Sequence, residues 1–114
     1  IWLWAGRTSK HHWVVEMSEL SLHPLVQRDL RQILDHYTVE GGTLLADKFF
    51  AEAERMVERI RNDPEHFHFI DEHYRRANFK TFPHHFIFEI KLSGPRITVL
   101  RHHKRHPRYG MRRI

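Results

Sequence analysis

The sequence predicts an α+β domain: an N-terminal strand, then an αα-hairpin packed on one face of a mostly antiparallel four-stranded sheet. Three observations carry this. Apolar residues recur at helical offsets through the first half of the chain and alternate with period two through the second. Gly41-Gly42 interrupts the helical half near its middle. Ser93-Gly94-Pro95 separates two alternating runs, as a hairpin connection does.

Each element has its own signal. Leu20 and Leu22 flank Ser21 and predict a short strand. His23-Pro24 opens a helix, with proline at the first helical position, where a missing N–H costs nothing. Val26, Leu30, Ile33, Leu34 and Tyr37 make one apolar stripe on a helix over about 24–38. After the glycine pair, Thr43 is placed to cap a second helix. Its stripe is Leu45, Phe49, Phe50, Ala53, Met56, Val57 and Ile60. Asn62-Asp63-Pro64 stops that helix, because the residue before a proline is pushed out of the helical region. A strand is predicted over 74–82, approached by 68–73. Phe86, Phe88 and Ile90 then alternate with Ile87, Glu89 and Lys91, and Ile97 and Val99 flank Thr98. Helices grouped before strands place both helices on one face of the sheet.

At 114 residues the chain has room for one domain. Residues 17–114 are assigned to it. Residues 1–16 hold all three tryptophans, follow no clear period and precede Met17, so they read as an upstream or appended extension. The alternative is an arm that packs Trp2, Trp4 and Trp13 on the domain or a neighbour, since exposed tryptophans seldom stay unpartnered. The absence of cysteine excludes disulfide scaffolds, thiolate metal sites and cysteine nucleophiles. No apolar run reaches the roughly 18–20 residues of a membrane span, so a cytoplasmic protein with no membrane partner is expected.

Charge is unevenly distributed. The formal net charge is +5. Residues 1–89 carry 11 Lys/Arg against 14 Asp/Glu, a balance of −3, whereas residues 90–114 carry 8 Lys/Arg and no acid, a balance of +8. Such asymmetry points to a polyanion or an acidic partner, against the alternative of a solvated basic tail. Twelve histidines raise the question of a metal, and His66, His68 and His85 could meet across strands. However, the adjacent pairs His11-His12, His84-His85 and His102-His103 alternate faces if extended, and no His-Glu-x-x-His helix occurs. Neither a metal nor another cofactor is expected.

A set of short motifs in fixed order adds to this reading. They are Leu22-His23-Pro24, Asp29-Leu30, Tyr37, Phe49, Ile60-Arg61-Asn62-Asp63-Pro64, Tyr74-Arg75-Arg76, Phe82-Pro83, Phe86-Ile87-Phe88-Glu89-Ile90 and the ending His102-His103-Lys104-Arg105-His106-Pro107. In this order the chain resembles the RelE/ParE superfamily of toxins from type II toxin–antitoxin modules, over about residues 17–113. One departure is visible. The family pattern has an aromatic about three residues after the final proline, where this chain has Gly110 with Tyr109 beside it.

The resemblance implies one of two activities, and a shared fold does not choose between them. RelE-like members cut messenger RNA on the ribosome; ParE-like members poison DNA gyrase without cutting nucleic acid. Both are neutralised by a small antitoxin, here expected to be acidic, and a homodimer or a heterotetramer with that antitoxin is compatible with either. The first expectation is a metal-free, ribosome-dependent mRNA endoribonuclease. The second is a gyrase inhibitor, and the third a degenerate toxin or basic nucleic-acid-binding module. For RNA cleavage the resemblance nominates Arg76, Lys80, Arg105 and Tyr109 as the catalytic set, able to clamp a phosphate and deliver a proton if they converge. Arg76 and Lys80 would share a strand face. Arg75, Arg101, His102, His103, Lys104 and Arg112 are the candidate phosphate or partner contacts. Structural roles compete for several of these, above all Arg75 and His102.

Overall fold

The first strand of the main sheet enters the fold from a leucine that is almost wholly buried, Leu20. The computed structural model describes residues 20–114, together with the backbone of two short strands, β1 (Trp2–Leu3) and β2 (Val14–Val15), which pair antiparallel. The expectation that tryptophans of the 1–16 segment pack on the domain lies outside the described residues.

β3 (Ser21–Leu22) is short because His23-Pro24 turns the chain directly into helix. The His23 imidazole caps that helix, its Nδ1 accepting from the Leu25 N–H at 3.1 Å. The helical stretch α1 spans Pro24–Asn62 and is divided at Gly41 and Gly42, whose backbones are non-helical. Gly42 has φ of 78°, a left-handed conformation that favours glycine. The two arms fold back on each other. Tyr37 and Phe49 have ring centroids 5.6 Å apart, whereas twelve residues of straight helix would separate them by about 18 Å. The αα-hairpin is therefore present, with one correction. Thr43 lies beyond the two non-helical residues and begins the second arm, so Gly42 occupies the position expected for the cap.

The helix ends at Asn62 as Asp63-Pro64 dictates, followed by the single 3-10 turn Pro64–His66. β4 (Tyr74–Asn78), β5 (His84–Lys91) and β6 (Gly94–His102) complete a four-stranded sheet in the order β3-β6-β5-β4. β3 runs parallel to β6, and the other neighbours are antiparallel. β4 is shorter than the predicted strand. It stops at Asn78 because the following turn is held from the helix: the buried Glu52 carboxylate accepts from the backbone N–H groups of Lys80 and Thr81. Lys80 is thus a turn residue, and the expectation that it shares a strand face with Arg76 does not hold.

Between Ile87 and Phe88 the β5–β6 register shifts, so Ile97 pairs with Phe88 and Val99 with Ile87. The extra residue, Thr98, donates its hydroxyl to the Ile87 carbonyl at 3.3 Å. This bulge puts Ile97 and Leu100 in the core beneath the helices while Val99 faces the other side. The core is a helix-on-sheet interface. Val26, Leu30, Phe49, Ala53, Val57 and Ile60 meet Ala77, Phe79, Phe86, Phe88, Ile97 and Leu100.

The opposite face is covered near β6 by the closing segment, residues 103–114, which folds back in successive tight turns. Gly110 makes this possible. Its φ is 78°, and a Cβ there would lie 2.5 Å from a Val99 methyl. Gly110→Ala should therefore destabilise the domain by about 2 kcal/mol or more, measured by urea unfolding. Adding Val99→Ala should recover part of that loss by removing the clash but not the backbone strain.

Candidate functional site

The closing segment is fixed by two arginines: Arg101, which the sequence offers as a phosphate or partner contact, and Arg113, for which it offers no role. The Arg113 guanidinium donates to Asp29 on the first helical arm at 2.5 and 3.0 Å and to the Thr98 carbonyl at 3.0 Å. Asp29 also accepts from the Tyr109 hydroxyl at 2.9 Å and from the Leu100 N–H at 3.2 Å. Both charged side chains are buried. The Asp29 carboxylate raises the Arg113 pKa further above its already high value. Arg101, also buried, donates to the carbonyls of Pro107 at 2.7 Å and Tyr109 at 3.0 Å. The final turns therefore hang on the end of β6 and on one helical carboxylate.

On the sheet face away from the helices, strand alternation and register bring Arg76, Asn78, His85 and Arg101 together, with His103 above them. The hydrogen bonds fix the protons. Arg101 Nε donates to His85 Nε2 at 2.9 Å, so that nitrogen is bare. The His85 proton then sits on Nδ1 and is donated to His103 Nδ1 at 2.9 Å. His103 Nδ1 also accepts from Arg76 Nη2 at 3.0 Å, which leaves the His103 proton on Nε2. Arg76 is further held by Asn78, whose side-chain oxygen accepts from Nε at 2.7 Å. Burial and the charges of Arg76 and Arg101 push the His85 pKa down to about 3; burial and Arg76 lower that of His103. The face carries two fixed cations and two neutral imidazoles. His85, which the sequence leaves able to meet His66 and His68, stacks on His103 instead.

The remaining nominated residues are dispersed. Arg75 points to the helical side, donating to the Phe67 carbonyl at 2.8 Å with its guanidinium 3.8 Å over the Phe69 ring, a structural role. Arg105 is exposed and lies 4.0 Å over the Tyr109 ring. His102 stands beside His84, ring centroids 5.0 Å apart, and its Nδ1 accepts from the Lys104 N–H. Lys104 and Arg112 are exposed on the closing turns. Of the expected catalytic set, only Arg105 and Tyr109 adjoin. Arg76 lies on the open face, Lys80 in the β4–β5 turn, and the Tyr109 hydroxyl is committed to Asp29. The residues the sequence reading missed are Asp29, Glu52, His85 and Arg113. A charged residue on a helix's apolar stripe was the available signal for the first two.

The comparisons with known proteins cover most of the domain. A family model described as "ParE toxin of type II toxin-antitoxin system, parDE" matches residues 20–107. A solved structure titled "Chromosomal ParDE TA system from P. aeruginosa" is similar in fold, with a TM-score of 0.67 at 20% identity over 75% of this chain and 96% of that one. No curated protein matches the chain.

Two outcomes are expected from this geometry. Asp29→Ala strands the Arg113 charge and should cost about 3–5 kcal/mol in denaturant unfolding, whereas Asp29→Leu combined with Arg113→Met should cost less than Asp29→Ala alone. The second concerns pH. His84 is held by burial at about 4 and His85 at about 3, both below the ordinary histidine value. The unfolded chain takes up protons below about pH 6.5 while the folded chain does not, so stability is complete above that pH and declines as pH falls toward 4. Melting temperature should follow this slope, and His85→Gln should flatten it.

Proposed function

Because the chain belongs to the ParE toxin family of type II toxin–antitoxin systems, we propose that it stops growth by binding DNA gyrase without cutting nucleic acid, and that a small acidic antitoxin neutralises it. The observation that carries the reading is the commitment of the closing segment's functional groups to structure. The Tyr109 hydroxyl is held by Asp29, and Arg101 and Arg113 are buried in internal bonds. RNA cleavage needs a base for the ribose 2′-hydroxyl, a proton for the leaving oxygen and cations at the phosphate, all within reach of one another. Arg76, Lys80, Arg105 and Tyr109 do not stand together in that way. What the segment offers outward is charge: Lys104, Arg105, Arg108 and Arg112 are exposed within nine residues. Such a surface suits a protein or polyanion interface better than a proton-transfer site.

One observation favours RNA cleavage as a second reading. Arg76 and the outward N–H of His103 form a donor pair on the open face, fit for a phosphate oxygen. Purified protein should inhibit gyrase supercoiling while labelled message in a translating extract stays full length. Arg108→Ala with Arg112→Ala should weaken that inhibition by about tenfold or more. Cleaved message with unaffected supercoiling, lost in Arg76→Ala, would replace the first reading with the second.

A further inference from the structure

A cavity of about 300 Å³ opens between the first helical arm, the end of β6 and the closing turns. Asp29, Gln32, Ile33 and His36 line it from the helix at offsets of three, four and seven, which puts them on one helical face. His84, Leu100, Arg101 and His102 line it from the sheet, and Arg105 and Tyr109 from the closing segment. Its walls are apolar at Ile33 and Leu100, and its polar groups are unevenly matched.

The only acid among the lining residues is Asp29, whose two oxygens are filled by Arg113, Tyr109 and the Leu100 N–H. His84 is 4% exposed, and its Nδ1 has no hydrogen-bond partner among the described residues. A buried polar atom left in this state costs about 1–3 kcal/mol, so it points to a missing acceptor or donor. Arg105 is exposed, and its guanidinium lies 4.0 Å over the Tyr109 ring at the cavity wall, with no carboxylate partner among the described residues. His36 and His102 add two more imidazoles. Among the described residues no three such groups are arranged to share a metal ion, which directs the reading away from a cation. An anion matches what is present: two guanidinium groups, of which Arg101 is already bonded to the Pro107 and Tyr109 carbonyls and Arg105 is exposed, with up to three imidazole N–H donors and an apolar floor for a short methylene stem.

We propose that this cavity is an anchor site for a carboxylate side chain of the acidic antitoxin, clamped by Arg105 and hydrogen-bonded by the histidines around it. The assignment rests on the toxin reading above. It makes Arg105 a partner-binding residue rather than a catalytic one. It also gives the antitoxin a point of attachment on the helical side of the closing segment, away from the open sheet face.

The test uses the full chain with histidine-selective carbon labelling and glutarate as the probe, read by the imidazole signals. Glutarate should shift His84 and His102 in a saturable way. Glutaramide should not, and Arg105→Gln should weaken glutarate binding at least fivefold. Arg105 is exposed, so that variant should keep its fold, which the unperturbed signals of His85 and His103 would verify. The proposal is overturned if glutarate moves no signal, or moves only His85 and His103 on the open face. It is also overturned if inorganic phosphate competes equally well, which would make the site a general anion site rather than one for a carboxylate partner. Growth arrest on induction tests the toxin reading separately. A chain that arrests growth but ignores glutarate would remove the anchor site and leave that reading intact.

Discussion

The buried pair of Asp29 and Arg113 stands where a longer β3 would otherwise have to be. β3 pairs with β6 only through Arg96 and Ile97, and the next backbone bond, from the His23 N–H to the Ile97 carbonyl, is the last the incoming chain supplies. Past that point β6 exposes a carbonyl at Thr98 and an N–H at Leu100 on its outer edge. Arg113 donates to the first, and Asp29 accepts from the second. A guanidinium and a carboxylate, bonded to each other, complete the edge as a strand would. Burying two charges is costly, but here each also satisfies a backbone group that burial would otherwise leave bare. Glu52 repeats the device on the second arm, where its carboxylate gathers the N–H groups of the β4–β5 turn. Each helical arm is thus attached to the sheet by apolar packing and by one carboxylate bound to backbone.

The consequences run outward from that edge. With Arg113 fixed, Tyr109 and Gly110 are set against the sheet, and Arg101 closes the same turns from the other side through the Pro107 and Tyr109 carbonyls. Arg101 in turn fixes the His85 tautomer, His85 fixes that of His103, and His103 receives Arg76. Two guanidinium groups so close together would repel. The neutral imidazoles between them, kept neutral by burial and by those same charges, give each arginine a nitrogen lone pair in place of a carboxylate.

Most of the fold is legible in the sequence because it follows from apolar periodicity and from proline and glycine. The helix stripes, the break at Gly41-Gly42, the stop at Asp63-Pro64 and the β5–β6 connection all belong to that class. The end of β4 is not legible in this way. Phe79 and Phe82 look like strand residues, and what ends the strand is a carboxylate 28 residues earlier. The bulge at Thr98 is hidden for a similar reason, since a residue that shifts register leaves the local alternation nearly unchanged. At the candidate site, the sequence draws attention to the closing stretch of chain but does not give the direction of its side chains. Arginine, tyrosine and histidine serve a phosphate or an internal carbonyl equally well, and only tertiary placement separates Arg101 and Arg113, turned inward, from Arg105 and Arg112.

That separation changes what the basic end can do. The sequence places eight cations after Glu89, all of them nominally available to a polyanion. Arg101 and Arg113 are spent inside the fold, Lys91 lies 3.7 Å from Glu89, and Arg96 reaches the Ser21 hydroxyl. Four exposed cations with no acidic partner among the described residues remain, all on the closing turns. Binding to duplex nucleic acid through four contacts would give a salt slope of about −3.6, compared with about −7 if all eight took part. So modest an electrostatic contribution supports encounter and orientation more readily than tight, sequence-independent nucleic-acid binding. A protein target, which also meets apolar surface and shaped recesses, makes better use of the same four charges.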